Sequence, residues 1–401
     1  MPQSVIRVHR TPGPAQLPIE AVERKGIGHP DTLADALAER LSIAYSRHCR
    51  QHYGAVLHHN LDKLYLRGGH ARTDPGVFEM TEPTTVVVGG RVSTSFAGEP
   101  IDHRDLFDEV VTGYLARVLP NFEVSKWLRI EHATTDRSRY PTWFHPRDLH
   151  DLPEIRYATG SDTVAVTGWW PPTPTERIVL AVERYLNQQA NGPRYTHLGQ
   201  DVKVMALRQG GRVDVTLNVA VHPDAAPTRS AYETALRNLK PELDKVANEA
   251  AAGEADPHIR LNTHAANPFH GKRQYLLGSG SCLEFGEEGF VGRGNGPAGL
   301  IAVHRPKSVE AAYGKNPVYH SGKVYTIYAE QIARTIHHQL DVGATITIVA
   351  TNSTALREPN YVAVDLHGQA AHADIEALTR HVLATTDHLA LAIDEERLVP
   401  R

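Results

Sequence analysis

Two stretches of this 401-residue chain carry side chains whose types and spacing suit the handling of a polyphosphate. One is GSGSCLEFGEEGFVGRGNGPAGL (residues 278–300), continuing into HRPKSVEAAYGKNPVYHSGKVY (residues 304–325). Repeated glycine permits positive φ and lets backbone N–H groups turn toward an anion, while Arg293, Lys315 and Lys323 supply fixed charge. Neither a Rossmann nor a Walker spacing is met, so a glycine-rich surface loop is the competing reading of this segment taken alone. The other stretch, ERKGIGHPDTLADALAERL (residues 23–41), sets His29 and Asp31 where a helix begins. Pro30 suits a first turn, and Leu33, Ala34, Leu37, Ala38 and Leu41 recur at helical spacing directly after it. Asp31 and Asp35, four apart, fall on one face, and by position alone Asp31 reads better as a helix-capping carboxylate.

The elements that must hold these residues alternate without a clean βαβ period. Strand-like runs are TTVVVGGRVSTSF, WLRIEHAT, VKVMALRQGGRVDVTLNVAV, HIRLNTH, ATITIVATN and YVAVDL. Helical patterns cover residues 31–50, 105–119, 174–188, 229–251, 323–339 and 372–391. The Gln209–Gly211 turn between two alternating runs marks a hairpin, which favours antiparallel sheets over a doubly wound fold. Alternation along GQDVKVM is expected to place Asp201 and Lys203 on one strand face. Adjacent His58 and His59 point to opposite faces of an extended segment and so do not make a metal pair. No internal repeat is visible.

Composition narrows the function classes. A content of 41% hydrophobic residues over this length can bury a large core. A formal charge of −4, with acids and bases mixed along the chain, speaks against nucleic-acid binding through a basic face. Cys49 and Cys282 form neither a disulfide framework nor a zinc site. No apolar run reaches membrane-spanning length and the first twenty residues lack a signal-peptide core, so no membrane partner and a cytoplasmic location are expected. The 24 histidines are scattered along the chain rather than grouped as ligands.

Taken together, GIGHPDTLADALAE, LHHNLDK, GQDVKVMALRQG, GFVGRGN and SVEAAYGKNPVYHSGKVY resemble, in this order, the archaeal-type branch of the S-adenosylmethionine synthetases, or methionine adenosyltransferases. Residues 120–160 lack a counterpart and form a divergent segment. The resemblance implies one unit over residues 1–401 with an α+β fold: three interleaved subdomains in pseudo-threefold arrangement, their mixed and antiparallel sheets packed at a dimer interface. A homodimer or dimer of dimers with interface active sites follows from it. So does the reaction: methionine sulfur attacks C5′ of ATP, triphosphate leaves, and it is then cleaved to pyrophosphate and phosphate. Such a displacement needs Mg²⁺, positioned cations and a donor at the departing O5′ more than a base. K⁺ is the monovalent cation the family commonly uses.

By the same resemblance His29 is the donor, Asp31 a Mg²⁺ ligand, and Lys203 a triphosphate contact, where a solvated strand lysine is the alternative. Arg293 and Lys315 match triphosphate ligands, with Gly292, Asp201, His320 and Lys323 in the same nucleotide-binding group. Asp162, in SDTVAV, matches a nucleotide-facing loop, with a plain turn aspartate as the alternative. Asn60 and Asp62 fall in a loop near the substrate, and Glu287 stands where an aspartate is expected to hold the methionine ammonium. Several positions depart from the family pattern: Glu287 itself, Gly296 for an arginine, Ala165 for an aromatic, the pair Trp169 and Trp170 as a changed pocket wall, and Gln200, Tyr319 and Thr326. One methylene or one lost guanidinium is enough to alter recognition. A specialised paralogue using a methionine analogue or another nucleoside triphosphate is therefore an alternative, and an inactive nucleotide-binding regulator is a further one.

Overall fold

The computed structural model describes residues 4–152, 159–190, 197–262 and 274–400. Three mixed sheets dominate it. The first orders strands Val5–Arg10, Tyr361–Leu366, Ala344–Ala350 and Val164–Trp170. The second orders Leu128–Thr135, Thr84–Val92, Tyr65–Arg67 and Glu288–Phe290, with His59–Asn60 also paired to Thr84–Val92. The third orders Asp256–Leu261, Arg212–Asn218, Lys203–Gln209, Ile19–Lys25 and Ile301–Ala302. Each sheet draws strands from distant parts of the chain, so the three are interleaved. All three repeat one pairing pattern: the first pair is parallel and the next two are antiparallel. That repeat is architectural and leaves no trace in the residues themselves.

Among the described residues, six long helices cover the sheets in pairs. Helices α1 (Pro30–Tyr53) and α2 (Arg104–Val118) pack on the second sheet through Leu33, Leu37, Leu41, Phe107 and Val111 against Leu66, Val86 and Val88. Helices α3 (Pro174–Ala190) and α4 (Arg229–Ala251) cover the third through Ile178, Val182, Leu239 and Leu243 against Val204, Val213 and Val215. Helices α5 (Ser321–Leu340) and α6 (His372–Thr385) cover the first through Tyr328, Ile332 and Ile375 against Val166, Ile346 and Val364. The alternating strands bury one side chain in two under these helices, which is the pattern their sequences predict.

The α+β class and the mixed sheets agree with the sequence reading. The hairpin is also as read: Gln209 pairs with Arg212 and Gly210 takes φ +60°, which glycine adopts without strain. The helix expected over 372–391 stops at Thr385, because Thr386 turns to extended backbone, and a separate wide turn follows over Ala390–Asp394. Of the HIRLNTH run, Thr263 and His264 lie outside the described residues, as do residues 153–158 of the divergent segment. Among the described residues no helix is long and apolar enough to cross a membrane.

Candidate active site

The GIGHPD loop is pressed against the segment that leads into strand Lys203–Gln209. Gly26 N–H donates to Val202 O at 2.6 Å and Gly28 N–H to Gln200 O at 3.1 Å; a Cβ on Gly28 would stand 2.6 Å from the Gln200 carbonyl carbon. Only glycine permits that approach. The loop delivers His29 to the N-cap of α1, where its Nδ1 accepts the Asp31 backbone N–H at 3.2 Å. A ring nitrogen that accepts carries no hydrogen, so in the neutral ring the proton is on Nε2. Burial lowers the His29 pKa to about 4; Lys25 and Lys203 push the same way and Asp31 opposes them. His29 is thus a neutral Nε2–H donor at physiological pH.

Below it, α1 presents a ridge of three buried acids one turn apart. Asp31 Oδ1 accepts Phe290 N–H at 3.1 Å and Oδ2 holds Lys25 Nζ at 2.8 Å. Asp35, 1% exposed, accepts Gly292 N–H at 2.7 Å, and burial raises its pKa to about 8. Glu39, fully buried, accepts Gly314 N–H at 3.0 Å and takes Lys323 Nζ on both oxygens at 2.9 and 2.8 Å. One helix face therefore fixes the loop of Arg293 and the loop of Lys315. The two loops also adjoin, since a Cβ on Gly292 would lie 3.1 Å from Ala311 Cβ.

The second loop carries a compact polar cluster. Lys315, buried, is paired with Glu310, and ligand atoms of Asp162, Glu310 and His320 all lie within 4.8 Å of one another. His320 repeats the device of His29: it caps α5, its Nδ1 accepts Gly322 N–H at 3.2 Å, and burial with the nearby Lys315 charge lowers its pKa to about 4. That cap commits Nε2 to carrying the proton, so His320 fits an oxygen acceptor better than a metal. Asp162 and Glu310 are the pair that suits a hard cation, which takes one or two carboxylates and completes its shell with phosphate and water. Asp31, with both oxygens engaged by an ammonium and an N–H, fits Mg²⁺ less well than Glu310, where the Lys315 ammonium takes one oxygen.

The structure gathers His29, Asp31, Lys203, Gly292 and Arg293 at the first loop, and Asp162, Lys315 and His320 at the second. Asn60 bridges to the second loop by accepting Asn316 N–H at 3.2 Å, and Asp62 lies within the field felt by His320. Asp201 is buried, accepts Cys282 N–H at 3.0 Å, and is raised to about 7 by burial, with exposed Glu287 adding to the rise.

Three expectations change. Asp201 and Lys203 do not share a face, because Val202 N–H turns back to Gln200 O and regular pairing starts only at Lys203. Lys323 is closed into its ion pair with Glu39 and 1% exposed, so it holds the loop rather than facing an anion. The glycine-rich cradle binds the chain's own carboxylates: Gly278 and Ser279 N–H donate to Glu284, and Phe290 and Gly292 to Asp31 and Asp35. Trp169 and Trp170, both half-buried, each present a ring face to a guanidinium, Arg305 at 3.9 Å and Arg334 at 3.6 Å. His58 and His59 are core residues, bonded to Tyr319 OH at 2.7 Å and Ser42 Oγ at 2.8 Å. Sequence reasoning missed Lys25, Glu39 and Glu310. The 31, 35, 39 spacing of acids was the available signal for the ridge.

Comparison with known proteins gives the family and the fold. The profile of the S-adenosylmethionine synthetase (AdoMet synthetase) family matches residues 4–395. An uncharacterized protein of Streptococcus pyogenes serotype M3 is 30% identical over 406 residues, covering 97% of this chain and 96% of its own. The S-adenosylmethionine synthase of Caldivirga maquilingensis is 34% identical over 82% of this chain and 81% of its own, and that of Haloarcula marismortui 34% over 80% and 78%. In fold, the unusual S-adenosylmethionine synthetase from Campylobacter jejuni superposes with a TM-score of 0.58 at 11% identity, covering 96% of this chain and 90% of that one. The chain belongs to the S-adenosylmethionine synthetase family of methionine adenosyltransferases.

Proposed function

We propose that the chain transfers the adenosyl group of ATP to the sulfur of L-methionine and then cleaves the triphosphate to pyrophosphate and phosphate. The observation that carries this reading is His29, a neutral Nε2–H donor fixed beside the Lys25–Asp31 pair, Lys203 and the Arg293 loop. Thioether sulfur is nucleophilic without a base, so the burden falls on the leaving oxygen. The Nε2–H would donate to O5′ as the bond to C5′ breaks, and a group already neutral and oriented needs no reorganisation at that moment. Lys203 and Arg293, both exposed, would meet the triphosphate, and Lys315 with His320 Nε2–H would hold its other end. Mg²⁺ carried on the phosphates would be received by Asp162 and Glu310 and would neutralise the developing charge there; K⁺ is a further proposed requirement.

We read the three sheet-and-helix-pair units as the three subdomains, and the active form as a dimer. Lys25 and Lys203 are directly opposed on the helix-free face of the third sheet, where Ile19, Met205 and Leu207 are 47%, 40% and 37% exposed. A site on an open, partly apolar sheet face is one a second copy would close. An ATP-dependent reaction of this kind goes with a cytoplasmic location.

A second reading, a paralogue with another amino acid or nucleotide, is favoured by Glu287, an exposed and longer carboxylate at the expected amine position. Purified protein with Mg²⁺, K⁺, ATP and methionine, followed by product mass and phosphate release, decides between them. S-adenosylmethionine at about 1 per second or faster supports the first reading; strong product only with an analogue or another nucleotide replaces it with the second, and no product with any pair refutes both.

A further inference from the structure

We propose that Lys25 is a positioning residue whose ammonium serves as a built-in cation between Asp31 and the Arg293 loop. The inference rests on reading Arg293 as an anion contact. Lys25 Nζ lies 2.8 Å from Asp31 Oδ2 and 2.7 Å from the Arg293 carbonyl oxygen. Its backbone is engaged by the same loop: Lys25 N–H donates to Asn295 Oδ1 at 2.9 Å, and Asn295 Nδ2 donates to Lys25 O at 2.7 Å. Asn295 is buried and its carbonyl accepts the hydroxyl of buried Tyr313 at 3.0 Å, so the far side of the loop is anchored in the core.

Lys25 therefore grips both sides of Arg293 at once, through the carbonyl of that residue and through the side chain two residues on. Its charge is spent on Asp31, a carboxylate only 10% exposed, and a buried charge is costly to leave without a partner. The lysine opposed to it across the strand pair, Lys203, has a side chain 46% exposed and, among the described residues, a single ion-pair contact, to Glu23 at 3.4 Å. Two lysines at one register thus have different tasks: Lys203 faces outward, and Lys25 holds the loop from which the Arg293 guanidinium projects. Without the ammonium, the Arg293 carbonyl loses its donor, Asp31 loses its partner, and the guanidinium is no longer held in one place. A site loosened by an ångström loses affinity even though every anion-facing group remains.

Three measurements test this on the full chain: deuterium exchange of residues 288–296, calorimetric binding of inorganic tripolyphosphate, and recovery of binding by added ethylammonium. In Lys25→Ala, which leaves room for an added amine, the loop amides are expected to exchange about fivefold faster while α1 stays protected. Tripolyphosphate is expected to bind about tenfold more weakly and to be partly restored by ethylammonium but not by the bulkier tetramethylammonium. Wild-type loop exchange in the variant, or weakened binding that ethylammonium does not restore, overturns the proposal. If Lys25→Ala does not fold, Lys25→Arg decides. A planar guanidinium keeps the charge but not the ammonium geometry, so faster loop exchange is again expected and wild-type exchange again overturns the assignment. Failure of the wild-type protein to bind tripolyphosphate would sink the anion-site reading of Arg293, and the exchange rates would still report on the role of Lys25 in the loop.

Discussion

His29 and His320 are tuned by the same two features, a backbone N–H on Nδ1 and burial of the ring, and each keeps Nε2 as its donor. Asparagine at position 29 can also cap a helix through its side-chain oxygen, and its shorter amide does not reach where Nε2–H does, so His29→Asn withdraws the donor from that point while keeping α1. Adenosyl transfer is expected to fall by about 10²–10³ in kcat, with hydrolysis of added tripolyphosphate nearly unchanged; equal losses in both assays would remove His29 from O5′. The Lys323–Glu39 pair makes a different prediction because both groups are buried. Lys323→Met should cost about 3–5 kcal/mol by stranding Glu39, and adding Glu39→Leu should recover most of it. Urea unfolding measures both, and a double variant as weak as the single would show that the pair's value lies elsewhere. His29 and Asp31 were legible in the sequence because capping is local and a helix start has a written pattern. Lys25 was not, since its partners include a carbonyl 268 residues away, and Lys323 was misread because charge alone does not say which way a lysine faces.

At the scale of elements, the site depends on a strand too short to be read. Glu288–Phe290 is three residues long, yet it pairs with Tyr65–Arg67 and runs against the first turn of α1 closely enough that a methyl on Gly289 would collide with the Pro30 carbonyl. Gly289→Ala must push this strand away and draw Phe290 N–H off Asp31. The expected cost is about 1–3 kcal/mol, with tripolyphosphate affinity falling alongside the melting temperature; a melting temperature equal to wild type would mean that the strand can shift freely. The long helices and the alternating strands were readable because periodicity over ten or more residues outweighs local noise. The edge strand Val5–Arg10 and the two-residue pieces carry no such period. The threefold repetition of parallel, antiparallel, antiparallel pairing was invisible because hydrogen-bond topology constrains backbone and burial, and many different residues satisfy the same burial.

At the scale of the molecule, the open face of the third sheet and the buried histidines each have consequences. If a second copy covers Ile19, Met205 and Leu207, then Met205→Glu with Leu207→Glu should give a monomer in sedimentation equilibrium that has lost adenosyl transfer but melts as before; a fully active monomer would refute the interface site. Acid sensitivity follows from four imidazoles. Burial holds His29, His58 and His320 near pKa 4 and His59 near 3, all below the 6.5 of the unfolded chain. Between these values the unfolded state takes up protons that the folded state refuses, so stability is fully present above pH 6.5 and is lost as pH falls toward 4. Each tenfold change in proton affinity is worth about 1.4 kcal/mol, so groups shifted in one direction weigh against a total of only ~5–15 kcal/mol for a typical domain. Asp35 and Asp201 act in the opposite sense, because burial raises them to about 8 and 7: their protonated forms favour the fold at low pH, and that contribution disappears as pH rises through those values. The two opposing slopes put the maximum between about pH 6.5 and 7. Urea midpoints from pH 4 to 9 should therefore peak near neutrality and fall steeply from pH 6 to 4.5, and a midpoint unchanged over that acid interval would mean that these histidines titrate as freely in the folded protein as in the unfolded chain.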